Sequence, residues 1–155
     1  MKKPEISDFG SVDPAPPSSV KSIEKLTKIL VDENAKMFDR MRAVFSLRNS
    51  NSSESIHALG LGFNSKSALL KHEIAYVMGQ MQNEEALIHL INRLEDENEH
   101  VMVRHEAAEA IGAIGSNSTK KILEKFLHHE LPEISESCEV ALGLLSYNNK
   151  ADFNK

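Results

Sequence analysis

The 155-residue sequence has no tryptophan, and aromatic residues make up only 5% of it. A large aromatic core is therefore disfavoured, and packing falls to Ala and Leu. Cys138 is the single cysteine. No intramolecular disulfide is available, and the free thiol fits a reducing compartment, here expected to be the cytoplasm. No stretch approaches the ~20 apolar residues that span a bilayer, and the amino terminus has no apolar run of the signal-peptide kind. The chain is expected to be soluble, with no membrane partner. Its basic residues form no stripe, and the net charge of −5 disfavours nucleic acid, whose phosphates need a cationic face. A cationic, polyamine-like partner is the better electrostatic match. Alternating apolar and polar segments of useful length are missing too, so strands are not expected.

The composition that is present, 41% hydrophobic and 26% charged, is that of an ordinary globular protein about one domain long. Residues 1–19 hold Pro4, Pro14, Pro16 and Pro17 among Ser, Asp and Gly. Such a segment cannot sustain a helix and reads as a flexible linker or arm. The folded domain is expected over 20–147, with a polar tail at 148–155.

Within the domain the sequence repeats itself. Lys71-His72-Glu73-Ile74-Ala75 recurs as Arg104-His105-Glu106-Ala107-Ala108, and more loosely as Ser137-Cys138-Glu139-Val140-Ala141. An earlier copy is Arg40-Met41-Arg42-Ala43-Val44-Phe45. On this alignment Ala75, Ala108 and Ala141 share one structural position, and Met78-Gly79 matches Ile111-Gly112 where neighbouring helices approach. Ala86, Leu87, Leu90, Ile91 and Leu94 have amphipathic helical spacing, and a second helix is expected from near His100 to about Ile114. Gly115-Ser116-Asn117-Ser118 supplies a glycine to end that helix and a serine to cap the next. The Trp-Leu-Gly-Tyr signature of tetratricopeptide units and the Thr-Pro-Leu-His signature of ankyrin units are both missing. The expected fold is all-α, an α-solenoid of four HEAT-like helical-hairpin repeats with about eight helices, its second helices lining one face.

A single histidine on a repeat helix is more often packed or solvated than a ligand, and His57, His89, His100, His128 and His129 are read that way. His72 and His105 differ, because they share one repeat position and each precedes a glutamate. Equivalent positions on adjacent helices lie about 8–10 Å apart, a gap two imidazoles can close around one ion with bonds of ~2 Å. Consecutive helical residues diverge by about 100°, so neither Glu73 nor Glu106 is expected to complete the ion that the histidines hold. Two histidines and one carboxylate form the ligand set of non-haem Fe(II) oxygenases, and the carboxylate would come from a second copy of the module. Glu106 and Glu109 share a helix face with Glu73 nearby. That acidic surface would attract a cationic amine, although Glu109 also fits a merely solvated face. Cys138 stands at the third copy of the histidine position, but Val140, Ala141 and Leu142 beside it point to a buried structural thiol.

These residues resemble the deoxyhypusine hydroxylases, a family of HEAT-repeat di-iron enzymes. The likeness lies in Ser67-Ala68-Leu69-Leu70-Lys71-His72-Glu73, Gly79-Gln80-Met81, Met102-Val103-Arg104-His105-Glu106-Ala107 and Glu109-Ala110-Ile111-Gly112-Ala113-Ile114. It continues through Phe38 to Asn49 and Glu136 to Leu142. The family has two similar halves joined by a linker, each with two His-Glu pairs. Residues 11–17 resemble that linker, so the chain is read as the carboxy-terminal half, either a piece of a longer protein or a natural half-length one. The resemblance implies that His72 and His105 bind one Fe(II) while Glu73 reaches the iron of the other half. Two irons belong to the complete site. It also implies that Glu106, a metal-site and catalytic residue, faces the substrate amine, with Glu109 and Met102 bordering the substrate. The implied reaction uses dioxygen to hydroxylate the deoxyhypusine side chain of a translation initiation factor, forming hypusine. The missing pairs would come from a second half-module or a homodimer, since a two-fold axis repeats one contact in both directions. Two other readings are a non-catalytic repeat scaffold that binds a peptide or helix, and a HEAT-type lyase for a linear tetrapyrrole. The lyase would want an aromatic pocket, which Phe and two Tyr scarcely provide.

Overall fold

A computed structural model describes residues 1–153. Among the described residues are eight α-helices and no strand: α1 (Ile23–Val31), α2 (Met37–Ser50), α3 (Ser53–Leu61), α4 (Ala68–Met81), α5 (Leu87–Glu95), α6 (Val101–Ile114), α7 (Lys120–Lys125) and α8 (Pro132–Phe153). Four of the starts are set by side-chain caps. Ser22, Ser52 and Ser67 hydroxyls accept the first free backbone N–H groups of α1, α3 and α4, and His100 Nδ1 does the same for α6. The helix expected from near His100 to Ile114 is thus α6. It ends at Gly115, whose φ of 78° is the left-handed conformation that glycine takes most easily. Ser116 precedes a 3-10 turn at Asn117–Thr119 and makes no side-chain cap; its hydroxyl meets that of Ser118 at 2.8 Å.

Helices pair as hairpins, α1 with α2, α5 with α6 and α7 with α8, and the second helices stack in the order α2, α4, α6, α8. Leu70, Ile74, Val77 and Met78 of α4 and Val103, Ala107 and Ile111 of α6 are fully buried between layers. Glycines let the stacked helices approach. A Cβ at Gly79 would lie 3.1 Å from Ala110 Cα, and one at Gly112 only 2.9 Å from Ala141 Cα.

That packing corrects the expected register of the last unit. Gly79 meets Ala110, and Gly112 meets Ala141. Ala141 is therefore the counterpart of Ala110 rather than of Ala108. The final repeat step is shorter than the sequence pattern suggested, in keeping with the short α7. Cys138 then occupies the place of Ala107, not of His105, and it is wholly buried as a structural thiol. The positions matching His105-Glu106 are Glu136-Ser137.

Residues 1–19, expected as a flexible arm, contain no helix, but they lie along α2. A turn at Ser7–Gly10 and one antiparallel bridge, Ile6 to Val12, shape the segment. Arg42 donates to the carbonyls of Pro16 and Pro17, Ser18 N donates to Ser46 Oγ, and Ala15 is buried. Arg48, completely buried, donates to both carboxylate oxygens of Asp13 at 2.9 and 2.7 Å and to Gln80 Oε1 at 2.9 Å. Its guanidinium lies 4.5 Å from the Phe9 ring and 5.0 Å from that of Phe45. The polar tail expected from 148 continues α8 to Phe153, and 154–155 lie outside the described residues. No described helix is long and apolar enough to cross a membrane.

Candidate metal centre

His72 lies on α4 and His105 on α6, one repeat apart on the same face. The small-residue seam at Gly79 and Ala110 brings those helices close, and the imidazole rings stand 6.1 Å apart between centroids. Between them lies the Glu106 carboxylate, with Oε2 3.2 Å from His72 Nε2 and 3.6 Å from His105 Nε2. One ligand atom from each of the three residues falls within 4.8 Å of the others. An ion with bonds of about 2.1 Å at right angles holds its ligand atoms about 3 Å apart, so modest side-chain rotation closes the set. Two imidazoles and a carboxylate fit Fe(II), and they leave coordination positions open.

This geometry corrects the expectation that Glu106 cannot join the histidines. The 100° step from His105 to Glu106 turns the carboxylate toward the preceding stacked helix, α4, where the facing residue is His72. The same step from His72 turns Glu73 toward α2. There the repeat has Met41 in place of histidine, and Glu73 feels the charges of Asp13 and Arg48. Glu73 Oε2 is 3.9 Å from its own His72 Nδ1, and Glu73 stays outside the three-residue group.

Burial pushes the Glu106 carboxyl up to about 7; Glu109 and Glu73 add to the rise and His105 opposes it. Burial raises Glu73 as well, against the attraction of His72. Glu106 is thus poised near neutrality, and a cation placed beside it would favour its ionised form.

Met102 and Glu109 lie on α6 beside His105. With His105, Glu133, Glu136 and Val140 they line a groove of about 410 Å³ between α6 and α8. His105 Nδ1 is 3.1 Å from the hydroxyl of Ser137, which is itself buried. Glu133, Glu136 and Ser137 were not among the residues expected at the site. Aligning Gly143 with Gly112 would have placed Glu136-Ser137 at the His105-Glu106 position. His57, His89, His100, His128 and His129 join no metal-holding group among the described residues.

Deoxyhypusine hydroxylase of Danio rerio is 48% identical over 145 residues, covering 94% of this chain and 48% of that protein. That of Candida albicans is 46% identical over 149 residues, covering 94% and 47% respectively. A solved structure of human deoxyhypusine hydroxylase in complex with glycerol matches with a TM-score of 0.89 at 40% identity, over 94% of this chain and 50% of that one. The chain spans about half the length of the curated relatives it matches. A family model described as HEAT repeats matches residues 62–143, and with eight helices stacked as repeated hairpins the chain belongs to the HEAT-repeat family.

Proposed function

We propose that this chain is the carboxy-terminal half-module of a deoxyhypusine hydroxylase, contributing one iron-binding half-site to a two-iron centre. The observation that carries the reading is the convergence of His72, His105 and Glu106 on one point, in a chain 40–48% identical to enzymes of that name. Bound Fe(II) supplies the dioxygen activation that hydroxylating an unactivated carbon requires. The chain's own residues do the rest. His72 and His105 hold the ion, while Glu106 balances its charge and faces the amine of the deoxyhypusine side chain. Glu109 adds negative charge for that amine, and Met102 offers apolar surface to its carbon chain. The substrate is the deoxyhypusine-bearing translation initiation factor, met in the cytoplasm.

Glu73, outside the cluster, is the residue left to reach the iron of a second module, whether a covalently joined half or a second copy of this chain. The scaffold alternative gains nothing from the comparisons.

The test pairs iron analysis with mass in solution. Anaerobic Fe(II) should bind the wild-type chain and promote its association with a second module or copy. His72→Ala and His105→Ala should each weaken binding by more than the ~10–100-fold that loss of an outer-sphere partner costs. A chain that takes up no iron, and whose partner binding ignores both substitutions, is a scaffold and not a hydroxylase half. Iron bound to a persistent monomer would sink the shared-site part of the reading.

A further inference from the structure

We infer that Ser137 is a positioning residue which holds His105 in the Nδ1–H tautomer and so directs the lone pair of Nε2 at the metal position. The inference rests on the reading of His105 as a ligand, but its geometry is independent of any ion.

The Ser137 hydroxyl makes two contacts. It is 2.6 Å from the Glu133 carbonyl oxygen one turn earlier in α8, and 3.1 Å from His105 Nδ1 on α6. A backbone carbonyl can only accept, so the single hydroxyl proton is committed to Glu133. Toward His105 the oxygen has only lone pairs to offer, and Nδ1 must therefore carry the hydrogen. A neutral imidazole protonated at Nδ1 presents an unprotonated Nε2. That nitrogen is the one 3.6 Å from Glu106 Oε2, on the side of the ring that faces the cluster.

Ser137 is only 6% exposed, so water competes poorly for its hydroxyl, while the His105 side chain is 31% exposed. Glu109 is the other acceptor near Nδ1, but at 3.6 Å it stands beyond hydrogen-bond distance and is half exposed. The repeat explains how Ser137 arrives there. It occupies in α8 the position of Glu106 in α6, and both side chains turn toward the histidine of the preceding helix. Glu106 is long enough to reach the far nitrogen of His72, whereas the shorter serine meets the near nitrogen of His105. One repeat position thus supplies a ligand in one unit and the orienting partner of a ligand in the next.

The experiment reads the His105 tautomer directly, by two-bond nitrogen–proton NMR on the whole chain without metal at about pH 8, above the ordinary imidazole value of ~6.5. Wild type should show Nδ1–H with an unprotonated Nε2. Glu109→Ala should keep that pattern. Adding Ser137→Ala in the Glu109→Ala background should lose it, and Ser137→Thr in the same background should retain it. Fe(II) affinity, measured anaerobically with otherwise wild-type sequence, should fall by about 10–100-fold in Ser137→Ala and recover in Ser137→Thr. A wild-type chain found as Nε2–H overturns the inference, as does loss of the tautomer in Glu109→Ala alone or its persistence in Ser137→Ala/Glu109→Ala. A chain that shows the tautomer pattern yet binds no iron instead overturns the reading of the site as a metal centre, leaving the Ser137–His105 device intact.

Discussion

At Glu106 stability and the proposed metal-binding role oppose each other. Its carboxyl ionises near 4.5 in the unfolded chain and is pushed up to about 7 in the folded one, chiefly by burial. Between those values the folded state holds the extra proton, so without metal the protein loses stability as pH rises through that window, by about 1.4 kcal/mol per unit. The total is on the order of 3 kcal/mol. Glu106→Gln should therefore melt at a higher temperature than wild type at about pH 8 and close to it at about pH 4.5, which calorimetry will show. The same change should weaken Fe(II) binding. In wild type, binding near pH 7 should release part of a proton, because the ion favours the carboxylate; titration calorimetry in buffers of differing ionisation enthalpy measures it.

Among the helices, the α4–α6 and α6–α8 contacts decide whether the site can form at all. Both depend on a glycine set against an alanine, but with different tolerance. A methyl added at Gly112 would come 2.8 Å from Ala141 Cβ and 2.9 Å from its Cα, so backbone must move. At Gly79 the nearest approach is 3.1 Å. Gly112→Ala is expected to cost about 1–3 kcal/mol by overpacking. For Gly79→Ala the ~1 kcal/mol gain in helix propensity offsets much of a smaller clash. Urea midpoints of the two variants should fall in that order. Gly112→Ala should also disturb the His105 ring resonances, because α8 carries Ser137. A second element-scale tie is Glu99, which accepts from Lys71 Nζ at 2.6 Å, Arg93 Nη1 at 2.8 Å and His100 N at 2.8 Å. It joins the start of α4, the end of α5 and the cap of α6, and so anchors both histidine helices at their amino-terminal ends.

At the scale of the whole molecule, a solenoid must close its ends, since each unit buries its face only against a neighbour. The arm of residues 1–19 packs on α2 and reaches Gln80 of α4. Asp13 and the aromatic rings of Phe9 and Phe45 enclose Arg48, which would otherwise be an uncompensated buried charge. Asp13→Ala should cost about 3 kcal/mol, read as a shift in the denaturant midpoint. Burial alone would raise the Asp13 pKa, but hydrogen bonds from Arg48 and Ser11 and the Arg48 charge hold it below the usual carboxylate range. Its contribution is thus complete above about pH 4 and fades as acid protonates it below that. Among the described residues nothing lies within 4 Å of the Cβ position of Gly143 on α8, and Val140 and Tyr147 are exposed.

The helical class, the stacked-hairpin plan and the pairing of His72 with His105 on neighbouring helices were all legible in the sequence. Each rests on local geometry: 3.6-residue periodicity, caps within one turn, and a motif repeated at one helical position. The direction of Glu106, the shortened last repeat and the roles of Ser137 and Asp13 emerged only in the folded molecule. Glu106 meets a histidine one repeat away, Ser137 meets His105 across 32 residues, and Asp13 meets Arg48 across 35. Such contacts depend on how closely two helices stack and which way each is rotated. Opposed glycine and alanine surfaces set those quantities, and they come together only when the chain is packed.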